Sequence, residues 1–154
     1  MTSIDRSDLL TAIRSAIASA PNAGGAMTQT VRLLKDAIPY YSWVGIYLLD
    51  GNELVLGPFL GKPSPHTRIP LGRGICGAAA TEKATIIVDD VNADDRYLAC
   101  SIETKSEIVV PIMEDGEVLG EIDIDSDTPA AFGAADRELL EHVAALLAES
   151  LSED

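Results

Sequence analysis

The sequence predicts an α+β fold: a mostly antiparallel central sheet, N- and C-terminal helices on one face, and a loop-covered small-molecule pocket on the other. Three observations predict it. Two hairpin turns, Asp50-Gly51-Asn52 and Glu114-Asp115-Gly116, each lie between runs of strand character. Helical spacing of apolar residues is concentrated at the two ends of the chain. The stretch between the hairpins holds short elements and irregular chain.

Taken in order, Ser7 to Ala18 places Leu9, Leu10, Ile13 and Ile17 at helical spacing, with Ser7 as the expected N-cap. Pro21-Asn22-Ala23-Gly24-Gly25 is expected to break that helix. A second helix is expected from Met27 to Ile38. Trp43 to Leu49 reads as a strand with Val44, Ile46 and Leu48 on one face and Trp43, Gly45, Tyr47 and Leu49 on the other. Glu53 to Phe59 returns as its partner. Gly61 to His66, with two prolines, is a loop.

Thr67 to Ile69 is extended, Gly74 to Thr81 a short helix and Ala84 to Val88 a strand, and Asn92 to Glu103 is irregular. Ser106 to Met113 and Glu117 to Asp125 form the second hairpin. In the latter strand Val118, Gly120, Ile122 and Ile124 share one face, and Glu121, Asp123 and Asp125 the other. Ala134 to Leu151 is an amphipathic helix burying Leu139, Leu140, Val143, Leu146 and Leu147. One domain over residues 1–154 is expected from this length.

The bulk chemistry excludes several classes. With 11 basic and 25 acidic residues, the net charge of −14 offers no basic footprint for nucleic acid or for an anionic membrane surface. No apolar run approaches the roughly 18 residues needed to cross a bilayer. Met1-Thr2-Ser3-Ile4-Asp5-Arg6 lacks the pattern of a signal peptide, so a cytoplasmic location is expected. Two cysteines make no disulfide scaffold, and Cys76, Cys100, His66 and His142 lack the close spacing of a zinc site, so no metal is expected.

Gly72-Arg73-Gly74-Ile75-Cys76-Gly77 matches G-x-G-x-x-G, but a dinucleotide site needs a full strand before it and a crossover helix after it. Pro70 truncates the strand, so these glycines are read as a tight turn with close backbone packing. The acidic face of Glu117 to Asp125 points either to solvent or into a polar pocket, and Glu107 can join it from the neighbouring strand. If those acids are covered, repulsion and desolvation raise at least one carboxyl pKa, and the set can hold a ligand ammonium and lend a proton. Trp43 and Tyr47, on the face opposite the aliphatics, are either core or an apolar wall for a ligand. Cys100 lies in an irregular segment of mixed polarity where thiols are accessible, whereas Cys76, in Ile75-Cys76-Gly77-Ala78, has the setting of a small buried hydrophobe.

Trp43-Val44-Gly45-Ile46-Tyr47, Leu54-Val55-Leu56-Gly57-Pro58-Phe59, Arg68-Ile69-Pro70-Leu71-Gly72-Arg73-Gly74-Ile75-Cys76-Gly77, Ala99-Cys100, Ser106-Glu107-Ile108-Val109-Val110-Pro111 and Ile122-Asp123-Ile124-Asp125-Ser126 together resemble the GAF-domain free methionine-(R)-sulfoxide reductases. The resemblance spans nearly the whole chain. It implies a GAF-like fold and a thiol-dependent oxidoreductase with no bound cofactor. Cys100 would be the nucleophile that becomes a sulfenic acid. Glu107, Asp123 and Asp125 would bind the substrate amino group and assist protonation of the departing oxygen, with Trp43 and Tyr47 walling the methylthio end. Thioredoxin or a small thiol would be the reductant, and homodimers are common in such families.

One departure stands out. The family's first cysteine falls in Gly61-Lys62-Pro63-Ser64-Pro65-His66-Thr67-Arg68, which has none, and Pro65 or His66 takes its place. Cys76 matches the second family cysteine. Three outcomes stay open: Cys76 resolves the Cys100 sulfenic acid, an external thiol does so, or the chain is a GAF domain that binds a small amino-acid-like ligand without turning it over.

Overall fold

The computed structural model describes residues 5–97 and 103–152. Helix α1 (Arg6–Ser19) is capped by Asp5, whose carboxylate accepts from the Ser7 amide at 2.7 Å, so the expected cap Ser7 lies inside the first turn instead. Helix α2 (Ala23–Ala37) begins four residues before the expected Met27 and runs through Gly24 and Gly25. The Asn22 side chain accepts from the Gly25 amide at 2.9 Å. That cap, with buried Ala23 and Ala26, offsets the roughly 1 kcal/mol that each helical glycine costs relative to alanine.

The strands follow as β1 (Trp43–Asp50), β2 (Glu53–Leu60) and β3 (Arg68–Pro70), then helix α3 (Gly74–Glu82) and β4 (Ile86–Val88). A single 3-10 turn spans Val91–Ala93, and β5 (Ser106–Glu114), β6 (Glu117–Ser126) and helix α4 (Ala134–Ser152) complete the chain. The six strands form one sheet in the order β3-β2-β1-β6-β5-β4, every neighbouring pair antiparallel. Among the described residues, no helix is long and apolar enough to cross a membrane.

The sheet separates two apolar clusters. On one face Val44, Ile46, Ile108, Val110, Ile122 and Ile124 pack under α1, α2 and α4 through residues such as Ile13, Leu34, Leu140 and Leu147. On the other, Trp43, Tyr47, Leu54 and Val109 meet Ile75, Cys76 and Ala79 of α3. The alternation of β1 and β5 therefore assigns their faces as expected. Val118 does not follow its expected face: the register passes from Ile112↔Gly120 to Met113↔Val118, leaving Leu119 as an extra residue. The resulting bulge turns Val118 toward the α3 side, while Leu119 packs with the helical face.

The glycine motif shapes the approach to α3. Gly72 and Gly74 have φ of +88° and +68°, and a Cβ on Gly77 would stand 2.9 Å from the Gly72 nitrogen. The tight turn and close packing expected of this motif are both present, and they seat the start of α3 on the sheet with Cys76 facing β6.

Candidate functional site

Strand β6 carries Glu121, Asp123 and Asp125 at alternate positions, so all three project to the α3 side. The antiparallel registers set their neighbours: Asp125 lies between Trp43 of β1 and Glu107 of β5, Asp123 between Gly45 and Val109, and Glu121 between Tyr47 and Pro111. Glu107, Glu121, Asp123 and Asp125 are 5%, 0%, 3% and 3% exposed, so the acidic face is covered rather than solvated. Cys76 is buried above it, its Sγ donating to Asp123 Oδ2 at 3.4 Å.

Hydrogen bonding leaves part of this set unserved. Both oxygens of Glu121, Asp123 Oδ1 and Asp125 Oδ1 are buried with no hydrogen-bond partner. Burial pushes the Glu121, Asp123 and Asp125 carboxyls above their ordinary values. Repulsion from Asp123 adds to the rise at Glu121 and Asp125; the nearby Cys76 thiol moderates it at Glu121, and Glu107 moderates it at Asp123 and Asp125. Burial also pushes the Cys76 thiol well up, reinforced by Asp123, Glu121, Glu107 and Asp125. The raised carboxyls expected of a covered set are thus present.

The aromatic residues frame this set. Trp43 stacks on Phe59 with centroids 5.7 Å apart, and its indole N–H donates to the Lys62 carbonyl at 2.9 Å. A Cβ on Gly45 would come within 2.3 Å of the indole, and one on Gly61 within 2.6 Å, so both positions make room for the ring. The Tyr47 hydroxyl donates to the His66 carbonyl at 2.8 Å. The two aromatics thereby hold the segment 61–66, the stretch without a cysteine, against the edge of the site. Lys62 also pairs with Glu103.

Two clefts flank the acids. One of about 420 Å³, open mouth included, is lined by Ser42, Trp43, Lys62, Thr104, Asp125 and Asp127 among others. A smaller one of about 260 Å³ is lined by Tyr47, His66, Ile69, Cys76, Glu107 and Asp123, with Gly74 and Ile75. Of the residues singled out in the sequence, Trp43, Tyr47, Cys76, Glu107, Asp123 and Asp125 are brought together here. Cys100 lies outside the described residues.

A GAF domain matches residues 25–151 of the chain. The free methionine-R-sulfoxide reductase of Escherichia coli is 36% identical over 82% of this chain and 76% of its own. That of Saccharomyces cerevisiae is 47% identical over 71% of this chain and 62% of its own. The chain belongs to the GAF-domain free methionine-R-sulfoxide reductase family. A solved reductase of this family from Neisseria meningitidis, in complex with its substrate, superposes with a TM-score of 0.92 at 37% identity, covering 99% of this chain and 93% of that one. The family is one of oxidoreductases, and its GAF fold matches the curled six-stranded sheet found here.

Two buried acids escaped the sequence reading. Glu121 was placed on the acidic face but not among the candidate site residues, and alternation alone already put it there. Asp136, in the first turn of α4, accepts from the Tyr40 and Tyr41 hydroxyls at 2.7 Å each, from Arg6 at 2.9 Å and from the Gly133 amide at 3.0 Å. An acid three residues after Gly133 at a helix start was the available signal.

Proposed function

We propose that this protein reduces free L-methionine-(R)-sulfoxide to methionine, with Cys100 as nucleophile. The observation that carries this reading is the covered row Trp43–Asp125–Glu107, with Asp123 beside it. The row sets aromatic side chains and buried carboxyls side by side on one face of the sheet of a reductase-family fold. A zwitterionic amino acid whose side chain ends in a methyl sulfoxide suits such a site. Its ammonium meets Glu107, Asp123 and Asp125, and its methylthio end packs against Trp43 and Tyr47.

The chemistry uses the raised carboxyl pKa values. The Cys100 thiolate attacks the sulfoxide sulfur to form a transient S–S bond while a carboxyl of the row gives a proton to the oxygen, and the hydroxyl then passes to the cysteine sulfur as the S–S and substrate S–O bonds break. The oxygen ends on Cys100 as a sulfenic acid, the cysteine sulfur is oxidised and the substrate sulfur is reduced to the thioether. A second thiol then condenses with the sulfenic acid, forming a disulfide and releasing water. Cys76 or an external thiol of the thioredoxin or small-thiol class supplies it. Burial and the raised pKa of Cys76 favour the external route, because the thiolate is the attacking form. No bound cofactor is required.

The test is turnover of the free R epimer with dithiothreitol beside a Cys100→Ser control. Activity in the wild type and none in the control is expected, and equal activity in both would sink the proposal. The other reading from the sequence, a GAF domain that binds without turnover, predicts stabilisation by the sulfoxide with no sulfenic acid at Cys100.

A further inference from the structure

We propose that Cys76, Glu107 and Asp123, bordered by Glu121, form a binding site for one thiophilic divalent cation of the Zn²⁺ class, whose occupation excludes the amino-acid substrate. The site shares carboxylates with the proposed ammonium site, but metal binding itself does not depend on turnover. Cys76, Glu107 and Asp123 are all buried, and each offers a ligand atom within 4.8 Å of the others. The Cys76 Sγ to Asp123 Oδ2 separation is 3.4 Å. Zinc–sulfur and zinc–oxygen bonds of about 2.3 and 2.0 Å at a tetrahedral angle give an edge of about 3.5 Å, so this pair needs almost no adjustment to chelate.

Glu121 supplies an independent pointer. It is fully buried, and neither carboxylate oxygen has a hydrogen-bond partner. It stands close to Cys76 and Asp123; the thiol donates at 3.4 Å to Asp123 Oδ2, and Asp123 Oδ1 is likewise buried with no hydrogen-bond partner. A buried carboxyl group with no hydrogen-bond partner is costly, and a cation bound by Cys76 and Asp123 would stabilise its ionised form. Every charged neighbour bearing on Cys76 is acidic: Asp123, Glu121, Glu107 and Asp125. The cleft past His66 and Gly74 gives a path to the thiol.

The donor set selects the metal. Hard cations such as Mg²⁺ and Ca²⁺ take all-oxygen shells, whereas one sulfur among carboxylates favours zinc or cadmium. A metal here deprotonates Cys76 outright and neutralises the acids that a substrate ammonium would otherwise meet. Binding of the two is then mutually exclusive.

The experiment is a Cd²⁺ titration of the reduced full-length protein, followed by thiolate-to-cadmium charge-transfer absorption. One equivalent is expected to saturate the band. It should vanish in Cys76→Ser, persist in Cys100→Ser and withstand excess Mg²⁺. Glu121→Gln should weaken binding at least 10-fold with the circular-dichroism spectrum unchanged, and free methionine sulfoxide should weaken it in proportion to its concentration. If Cys76→Ser does not fold, Glu121→Gln and the X-ray absorption of the zinc form, expected to show a single sulfur at about 2.3 Å, carry the test. No band, a band that depends on Cys100, two sulfurs on the metal, unaltered affinity in Glu121→Gln or indifference to the sulfoxide would each overturn the assignment. Turnover without metal binding removes this inference alone, and metal binding without turnover removes the reductase reading alone.

Discussion

Asp136 and the β6 acids are buried to the same degree and built in opposite ways. Asp136 is met by two tyrosine hydroxyls, a backbone amide and a guanidinium. Burial works against its ionised form, but these hydrogen bonds outweigh it and hold its carboxyl below the ordinary value. Tyr40, which shares the carboxylate with Arg6, is pushed up to about 12 by burial and by that hydrogen bond. Glu121, Asp123 and Asp125 have orphaned oxygens and raised pKa values. The first arrangement ties α1, the α2–β1 connection and α4 together. The second leaves interactions unmade inside the fold, as a site does when its partner is a ligand.

Substitution should separate the two regions. The largest effect is expected from Asp123→Asn, which removes an ionisable carboxyl from the proposed ammonium site. kcat/KM should fall by about 100-fold or more while the urea midpoint holds or rises. A variant with full activity would remove Asp123 from the machinery. Asp136→Ala should do the reverse. It leaves the Tyr41 hydroxyl and the Gly133 amide without their acceptor, at about 1–3 kcal/mol for each buried donor. The urea midpoint should drop sharply, with kcat/KM per folded molecule nearly unchanged; an intact midpoint would show that the network contributes little.

The smallest effect is a pH slope. Carboxyls with raised folded-state pKa values hold protons that the unfolded chain releases above about pH 4. Stability therefore falls as pH rises, by up to about 1.4 kcal/mol per pH unit for each proton held, until the folded-state values are passed. Asp136 has the opposite sign: its lowered pKa contributes stability above the unfolded value and loses it as pH falls. Glu121→Gln should flatten the loss that sets in as pH rises above the unfolded-chain carboxyl value of about 4, read by thermal unfolding. An identical slope in that variant would mean that Glu121 does not hold a proton in the folded protein.

How much of this was legible depended on the range of the interactions involved. Alternation along Trp43–Asp50 and Ser106–Glu114 follows from backbone geometry, and the faces of both strands were readable from it. The placement of Val118 was not, because the bulge at Leu119 shifts the face without leaving a local mark. The start of α2 was missed because Gly24-Gly25 reads as a break, while the cap that overcomes it is one side-chain bond from Asn22. The acids on β6 were visible as a face, but whether that face was wet depended on α3 and the segment 61–66 closing over it. No periodicity within β6 encodes that. The Asp136 network joins residues 95, 96 and 130 positions apart in sequence, beyond any local pattern.

The room left by Gly45 and Gly61 has one more consequence. Trp43 is the chain's sole tryptophan, and its indole spans from the strand beside Asp125 to the Lys62 carbonyl. The protein thus carries one indole fluorophore, separable from its four tyrosines by excitation at the red edge and seated at the mouth of a cleft beside Asp125. Its emission wavelength and quenching report directly on whether the segment 61–66 is docked, with no label to perturb the site.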